Sequence, residues 1–135
     1  MAGKIVVDAK LVLSRAFLRL TGIAPQVYLL FLRRRRLVKV GRKGKEKWMI
    51  ENNGKIVFPY AEAMNKFGFT RPRFLRAIDQ LVEHGFIDIA HSGGGMLKDT
   101  SKYAISDRWQ DYGTKDFIYK YRPKDTRGLG FKKKE

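Results

Sequence analysis

Residues 57 to 105 read VFPYAEAMNKFGFTRPRFLRAIDQLVEHGFIDIAHSGGGMLKDTSKYAI, a stretch that predicts two short helices followed by a β-hairpin. We expect the first helix over about Tyr60 to Phe67 and the second over about Arg71 to His84. Only Gly68-Phe69-Thr70 lies between them, which is the length of the turn in helix-turn-helix units. From this turn Phe69 is expected to point into the core.

The ends of the second predicted helix carry residues with capping roles. Thr70 is expected as the N-cap because its hydroxyl can accept a hydrogen bond from a free backbone N–H. Pro72 is tolerated since a first-turn N–H has no acceptor within the helix. Gly85 supplies the left-handed residue that commonly follows a helix end. These signals support the predicted limits.

The second helix is predicted to have one apolar face and one polar face. At about 100° per residue, Arg73, Arg76 and Gln80 fall nearly opposite the apolar stripe. The stripe should face the core, so the arginine face is left for a partner. The residues of the apolar stripe are Phe74, Leu75, Ile78, Leu81 and Val82.

After this helix the apolar pattern changes to the two-residue period of a strand. Phe86 to Ala90 suits one strand and Tyr103 to Ile105 suits another. The segment Ser92-Gly93-Gly94-Gly95 cannot continue a strand, and Lys98 and Lys102 add positive charge. We therefore expect a hairpin with a flexible basic loop.

A second hairpin is predicted upstream of the helix pair. Trp48-Met49-Ile50 and Ile56-Val57-Phe58 flank the segment from Glu51 to Lys55, which contains Asn53-Gly54. Asn-Gly is the strongest short hairpin signal because both residues accept positive φ. The two flanking segments are therefore expected to pair with each other.

The N-terminal third carries weaker patterns. Pro25 to Arg36 is expected to be a helix that Pro25 opens, although a short Leu/Tyr/Phe run is also compatible with a strand. Asp8 to Leu20 fits either another helix or an extended arm that ends in a turn at Thr21-Gly22, and the pattern leaves both open. The inward residues would be Val27, Tyr28, Leu30, Phe31 and Leu32 in the former segment and, if helical, Leu13, Ala16, Phe17 and Leu20 in the latter.

The composition restricts the ligand more than it restricts the fold. The chain has 135 residues, of which 44% are hydrophobic and 13% aromatic, enough for the core of one domain. A formal net charge of +16 and a pI of about 10.3 favour a polyanion, with nucleic acid as the leading candidate. The sequence has no cysteine, which excludes disulfide scaffolds and Cys-based zinc sites. The longest apolar run is too short to cross a bilayer and no signal-peptide pattern is present, so we expect a cytoplasmic protein without membrane contact.

Two basic segments flank the helix pair. Arg33 to Lys47 holds nine Lys or Arg against one Glu, and Lys115 to Glu135 holds eight against three acids. Such runs are usually solvated surface, and Arg33 to Arg36 would also complement the dipole at the end of the predicted helix. Four consecutive arginines are more than the helix dipole requires. From Arg108 an aperiodic aromatic series is expected to lie over the domain, and Lys124 to Glu135 is expected to be disordered in isolation.

The segment AFLRLTGIAPQVYLLFL (residues 16 to 32), the helix pair and the following hairpin together resemble the winged-helix modules of plasmid and mobile-element replication initiators, and also small winged-helix regulators. The resemblance covers roughly Phe17 to Ile105. It implies an α+β winged helix-turn-helix fold, here with an additional N-terminal hairpin and a basic C-terminal tail. The expected organisation is an arm or helix at 1–20, a winged-helix domain at 21–106 and an aromatic, then basic, extension at 107–135.

The resemblance also implies that the second helix enters the DNA major groove while the wing and basic arms contact the backbone. Arg can form a bidentate contact with guanine and Gln with adenine, so we expect Arg73 and Arg76 to read bases and Arg71 to contact phosphate. The alternative is a solvated helix face with Arg76 paired to Asp79 or Gln80. By motif position the readers would be Arg71, Arg73, Arg76 and Gln80, and the further nucleic-acid contacts would be Lys98, Lys102, Arg33, Arg34, Arg35, Arg36, Lys43 and Lys45.

Enzyme signatures are absent from the sequence. His84 and His91 are the only histidines and lack metal-ligand spacing, and no Walker A, GxSxG or Rossmann pattern occurs. We expect no catalytic residue, metal or cofactor. The expected function is sequence-specific binding of double-stranded DNA, as a transcriptional regulator or a replication or mobile-element accessory factor, with a homodimer as a further option. An RNA-binding protein, and a protein-interaction winged helix with an acidic partner, remain alternatives.

Overall fold

Short helices and two small antiparallel sheets make up this mixed α+β protein, whose computed structural model describes residues 3–93 and 100–122. The predictions for Lys98 in the second hairpin loop and for the tail from Lys124 lie outside the described residues. The elements are, in chain order, α1 (Ala9–Val12), α2 (Arg15–Leu18), α3 (Ala24–Arg33), β1 (Leu37–Val40), β2 (Lys47–Ile50), α4 (Tyr60–Phe67), α5 (Arg71–Glu83), β3 (Ile87–His91), β4 (Lys102–Ile105) and a 3₁₀ turn at Arg108–Asp111.

The helix pair α4 and α5 forms within one residue of the predicted limits, since α5 ends at Glu83 rather than His84. Gly68 ends α4 in the left-handed conformation, with φ of 72°, and its N–H donates to the carbonyl of Met64 at 2.9 Å. The Thr70 hydroxyl accepts from the Arg73 N–H, which caps α5. Phe69 is buried between the helices. The predictions for the turn and the N-cap are therefore confirmed, because they rest on local backbone requirements.

The core lies between α3 and α5 and is rich in aromatic rings. Phe31 of α3 packs edge-on against Phe58 at 5.3 Å between ring centroids, and Phe58 packs against Phe74 of α5 at 5.0 Å. The helix predicted from Pro25 ends at Arg33 rather than Arg36, and Leu30 is half-buried rather than buried. The apolar face of α5 is confirmed with one change, since Ala77 is buried and Leu75 only half-buried.

The hairpin after α5 is confirmed. Strands β3 and β4 pair antiparallel, with Ile87 opposite Ile105 and Ile89 opposite Tyr103. A third segment joins this sheet through Ile56, whose carbonyl accepts from the Tyr103 N–H at 2.7 Å and whose N–H donates back at 3.1 Å. The segment before α4 is thereby tied to the hairpin after α5.

The pairing predicted for the upstream hairpin is wrong. Strand β2 pairs with β1, in a register that places Lys39 opposite Trp48, and not with the segment from Ile56 to Phe58. The Asn-Gly turn forms, but its amide side chains bond elsewhere. The Asn53 side chain exchanges hydrogen bonds with the backbone of Ile105, at 2.6 Å to the N–H and 3.2 Å to the carbonyl. It therefore substitutes for a neighbouring strand and attaches the turn to β4.

The segment from Asp8 to Leu20 forms two short helices. Asp8 caps α1 and Ser14 caps α2, so a second helix begins after the first has ended and the two do not form one continuous helix. Leu11, Ala16 and Leu20 consequently join the core cluster. The expectation that Leu13 faces inward is wrong, since Leu13 is 73% exposed. Its place at the break between the helices explains the difference.

The aromatic segment after β4 lies over the domain as predicted. Trp109 is buried and stacks on Phe86 at 6.1 Å between centroids. The backbone approaches α5 so closely that an added Cβ at Gly85, where φ is 92°, would lie 2.6 Å from the Trp109 nitrogen. Phe117 is buried as well, whereas Tyr119 and Tyr121 are exposed.

Candidate nucleic-acid interface

The outer face of α5 presents arginines over its first two turns. Arg71, Arg73 and Arg76 are exposed because the opposite stripe of the helix is buried in the core. Arg73 and Arg76 form no ion pair with any residue of 3–93 or 100–122. The Arg71 guanidinium lies over the Tyr60 ring at 5.5 Å. Positive charge at a helix N-terminus adds to the helix dipole, so this end of α5 attracts anions.

Gln80 lies on the same side of α5 but has partners within the chain. Its Oε1 accepts from the Thr21 N–H at 2.8 Å, and its Nε2 donates to the Thr21 carbonyl at 3.3 Å. The oxygen and the nitrogen of the amide are therefore both bonded to the backbone of Thr21. These are the two groups that a glutamine would use to bind adenine. Gln80 holds the loop between α2 and α3 in place, which the helical angle alone did not indicate.

A small cavity of about 130 Å³ separates this loop from the arginines. Arg73 and Arg76 line one side, and Thr21, Gly22 and Ile23 line the other. The Gln80 amide holds the loop by two hydrogen bonds, so the wall of the cavity opposite the guanidinium groups has a fixed position. A phosphate or base oxygen entering here would meet two cations whose charge no described carboxylate offsets.

The pairing of Arg76 with Asp79 or Gln80 does not form in the described chain. Asp79, its expected partner, instead binds Arg122 from the C-terminal segment, and the Arg122 Nε donates to the Asp79 Oδ1. The segment before the tail is thereby attached to α5. Asp88 holds the same segment through Arg108 and Lys120.

The four arginines at the end of α3, Arg33 to Arg36, have different partners. Arg34 donates to both carboxylate oxygens of Glu62 and, at 3.1 Å, to the Val57 carbonyl, and its guanidinium lies 3.9 Å from the centroid of Phe58. The hydrogen bond from Arg34 holds the pKa of Glu62 below its ordinary value. Arg34 is therefore a structural residue.

Its neighbours in the run are placed differently. Arg35 donates to the carbonyls of Leu32 and Val6, and Arg36 pairs with Glu51 at 3.0 Å. Arg33 is exposed and forms no ion pair within 3–93 or 100–122. Of the four predicted contacts, Arg33 is the one most available to a polyanion.

Lys43 and Lys45 lie in the loop that joins β1 to β2, and both are exposed. The structure surrounds them with Lys39, Arg42 and Lys47, which the sequence reasoning did not select. Gly41 and Gly44 are the sequence signal that could have predicted this hairpin, and both adopt positive φ in the structure. The Asn53-Gly54 pair downstream is a stronger turn signal, and it led to the prediction of a different hairpin.

Other candidate residues are more peripheral. Lys102 opens β4 and is half-buried. His84 is held by its Nδ1, which donates to the Ala16 carbonyl at 2.9 Å because a carbonyl can only accept. The described residues contain no group of three or more His, Asp or Glu side chains able to hold a metal ion. None of the helices in residues 3–93 and 100–122 has the length and apolar character needed to cross a membrane.

Comparison with known proteins identified no relative: no protein-family model, curated protein or solved structure matches the chain. The inference of function therefore depends on the geometry and charge of the described residues.

Proposed function

We propose that the chain is a winged-helix protein that binds double-stranded DNA sequence-specifically, with α5 in the major groove. The order of elements supports this. Helix α3, the bridge at Ile56, helices α4 and α5, and strands β3 and β4 follow one another as in a winged helix. In this arrangement α4 and α5 are the helix-turn-helix pair, and the β3–β4 hairpin is the wing.

The observation that carries the proposal is the pair Arg73 and Arg76. The two side chains lie one turn apart on the exposed face of α5, near its N-terminus, with no ion pair among the described residues. Recognition helices contact base edges through their N-terminal residues. An arginine there can donate two hydrogen bonds to guanine O6 and N7.

The remaining cations fit a backbone role. Arg71, Arg33 and Lys102 would contact phosphates and set the orientation of the protein on the duplex. We assign Gln80 to holding the α2–α3 loop instead of reading adenine. A net charge of +16 gives the long-range attraction that such binding requires. A transcriptional regulator or a replication or mobile-element accessory factor in the cytoplasm, acting as a monomer or a homodimer, would use this surface.

RNA binding is the second candidate, and one observation favours it. Tyr119 and Tyr121 are about two-thirds exposed, at 65% and 64%, and their rings are nearly parallel at 6.5 Å between centroids. Exposed rings stack on unpaired bases in many RNA-binding proteins. The DNA proposal ranks first because it accounts for the arginines on α5, whereas these tyrosines lie at the exposed end of the C-terminal segment.

The test is binding by fluorescence anisotropy to a duplex selected from a random library, to random duplex and to structured RNA, across a salt series. Duplex affinity should fall with a log-log slope of roughly −5 to −8, as expected for about six to nine neutralised phosphates. Arg76→Ala should lose about 1 to 3 kcal/mol on the selected duplex and much less on random DNA.

Arg76→Lys is the matched control, since it keeps the charge and loses the bidentate fork. It should bind random duplex like the wild type but lose preference for the selected one. A slope shallower than about −2, or equal binding of both duplexes by wild type and Arg76→Ala, would refute the proposal. Tighter binding to RNA at every salt concentration would favour the second candidate.

A further inference from the structure

The hairpin formed by β1 and β2, residues 37–50, is an exposed arm. Every residue in it is exposed except Val38 and Ile50, which are half-exposed. Its two strands pair with each other and with no other described strand. A hairpin of this size gains little stability from its own short ladder. Its side chains are therefore available for contact with another molecule.

The arm carries uncompensated positive charge. Five of its residues are cationic and one, Glu46, is acidic. Glu46 accepts a hydrogen bond from the Gly44 N–H within the loop at 3.1 Å. None of the five cations pairs with a carboxylate of residues 3–93 or 100–122, in contrast to Arg34 and Arg36 just before the arm. The five are Lys39, Arg42, Lys43, Lys45 and Lys47.

One large aromatic ring accompanies this charge. Trp48 is 65% exposed, and the Nζ of its cross-strand partner Lys39 lies 5.3 Å from the ring centroid. The other tryptophan, Trp109, is buried in the core. Leaving an indole in water forgoes a large burial gain, so the position of Trp48 calls for a ligand that covers it. Because the surrounding charge is positive, that ligand should carry negative charge and a flat apolar face.

We propose that the hairpin arm binds single-stranded DNA, with a base stacked on Trp48 and the lysines around it on the phosphates. Lysines beside an exposed aromatic ring are the arrangement by which proteins bind single strands without sequence preference. A duplex would have to unstack a base step before it could offer a base face to Trp48, whereas a single strand offers one directly. This surface and ligand are separate from α5 and duplex DNA, so the inference extends beyond the proposed function.

The first test measures binding of a labelled short oligothymidylate, which forms no duplex with itself, to the full chain. Trp48→Ala should weaken binding by about 5- to 150-fold, the loss expected for one stacked base. Trp48→Phe should restore affinity to within a few fold, since phenylalanine also stacks. Met49→Ala is the matched control. Met49 is 54% exposed and follows Trp48 on the opposite face of the hairpin, so its loss should change the affinity little.

Tryptophan fluorescence gives a second readout. The oligonucleotide should quench the emission of the wild type, because Trp48 stacks on a base. In Trp48→Phe the remaining emission comes from buried Trp109 and should not change, although the oligonucleotide still binds. Circular dichroism should show the same melting temperature for all variants, since these side chains lie outside the core.

Several outcomes would overturn the inference. These are unchanged binding by Trp48→Ala, an equal loss in Met49→Ala, or no quenching in the wild type. Tighter binding of the matching oligouridylate would replace DNA by RNA as the ligand and equally overturn it. The two proposals fail separately. Binding of the selected duplex, prepared with blunt ends, should depend on Arg76 and not on Trp48, and oligothymidylate binding should show the reverse.

Discussion

Replacing Arg34 with alanine should destabilise the fold, although Arg34 stands in a run of four arginines. The guanidinium joins α3 to α4 through both oxygens of Glu62 and bonds the Val57 carbonyl. It also covers the Phe58 ring, which lies in the core between α3 and α5. The side chain is 21% exposed, so water can replace only part of these contacts.

The magnitude follows from these contacts. Hydrogen bonds to charged groups contribute about 1.5 to 3 kcal/mol each, and cation–π contacts about 0.5 to 2 kcal/mol. These values are not additive, and Glu62 keeps a second cation in Lys66 at 3.6 Å. The expected loss in the free energy of unfolding is about 2 to 4 kcal/mol, or roughly 8 to 15 °C in Tm for a chain of this size.

The assay is urea denaturation followed by circular dichroism, with Arg33→Ala as the matched control. Arg33 is exposed and adjacent, so its loss should change the stability by no more than about 0.5 kcal/mol. A double-mutant cycle of Arg34→Ala with Glu62→Gln should give a favourable coupling of about 0.5 to 3 kcal/mol. Equal stability of Arg33→Ala and Arg34→Ala would show that the whole run is solvated surface and would refute this reasoning.

The same pair predicts a pH dependence. The pKa of Glu62 is lowered in the folded state, first by its hydrogen bond with Arg34. A lowered pKa means that the stabilisation is present above the ordinary carboxyl pKa and disappears as the pH falls through the lowered one. The stability difference between wild type and Arg34→Ala should therefore shrink in acid. A difference that grows in acid would contradict the assignment.

Two further predictions concern backbone and burial. Gly85→Ala should cost more than about 3 kcal/mol because its Cβ would meet the Trp109 nitrogen at 2.6 Å, whereas Gly68→Ala, with no atom within 4 Å, should cost only the roughly 1 to 2 kcal/mol of left-handed strain. Equal urea midpoints for the two variants would contradict the close approach. Burial raises the pKa of Tyr28 to about 12, so the folded state keeps this proton longer than the unfolded state and stability should fall as the pH rises above 10.0. Tyr28→Phe should reduce that alkaline loss in urea titrations, and an unchanged pH profile would show that Tyr28 is not its source.

The helix pair could be predicted from the sequence because its determinants are local. Thr70, Gly68 and Gly85 each act within a few residues, and the 3.6-residue period of α5 separates core from surface without any knowledge of neighbours. For the same reason the exposure of Arg73 and Arg76 could be predicted before their surroundings were known. Strands β3 and β4 follow each other directly, so they too required only local patterning.

Tertiary structure decided those features for which several pairing partners were possible. Strand β2 had two local candidates. It pairs with β1, while Ile56 of the other candidate pairs with Tyr103 and the Asn53 side chain bonds Ile105, 52 residues away. Arg34 carries the same side chain as its neighbours in the run of arginines, and Gln80 lies on the same face of α5 as Arg76. A partner 59 residues distant occupies Gln80, and one 28 residues distant occupies Arg34. Local period and capping depend on the backbone of a few residues, so the sequence alone determined α4, α5 and the exposed arginine face of α5. Pairing depends on which distant groups the packed core brings within hydrogen-bonding distance, and only the fold determines that.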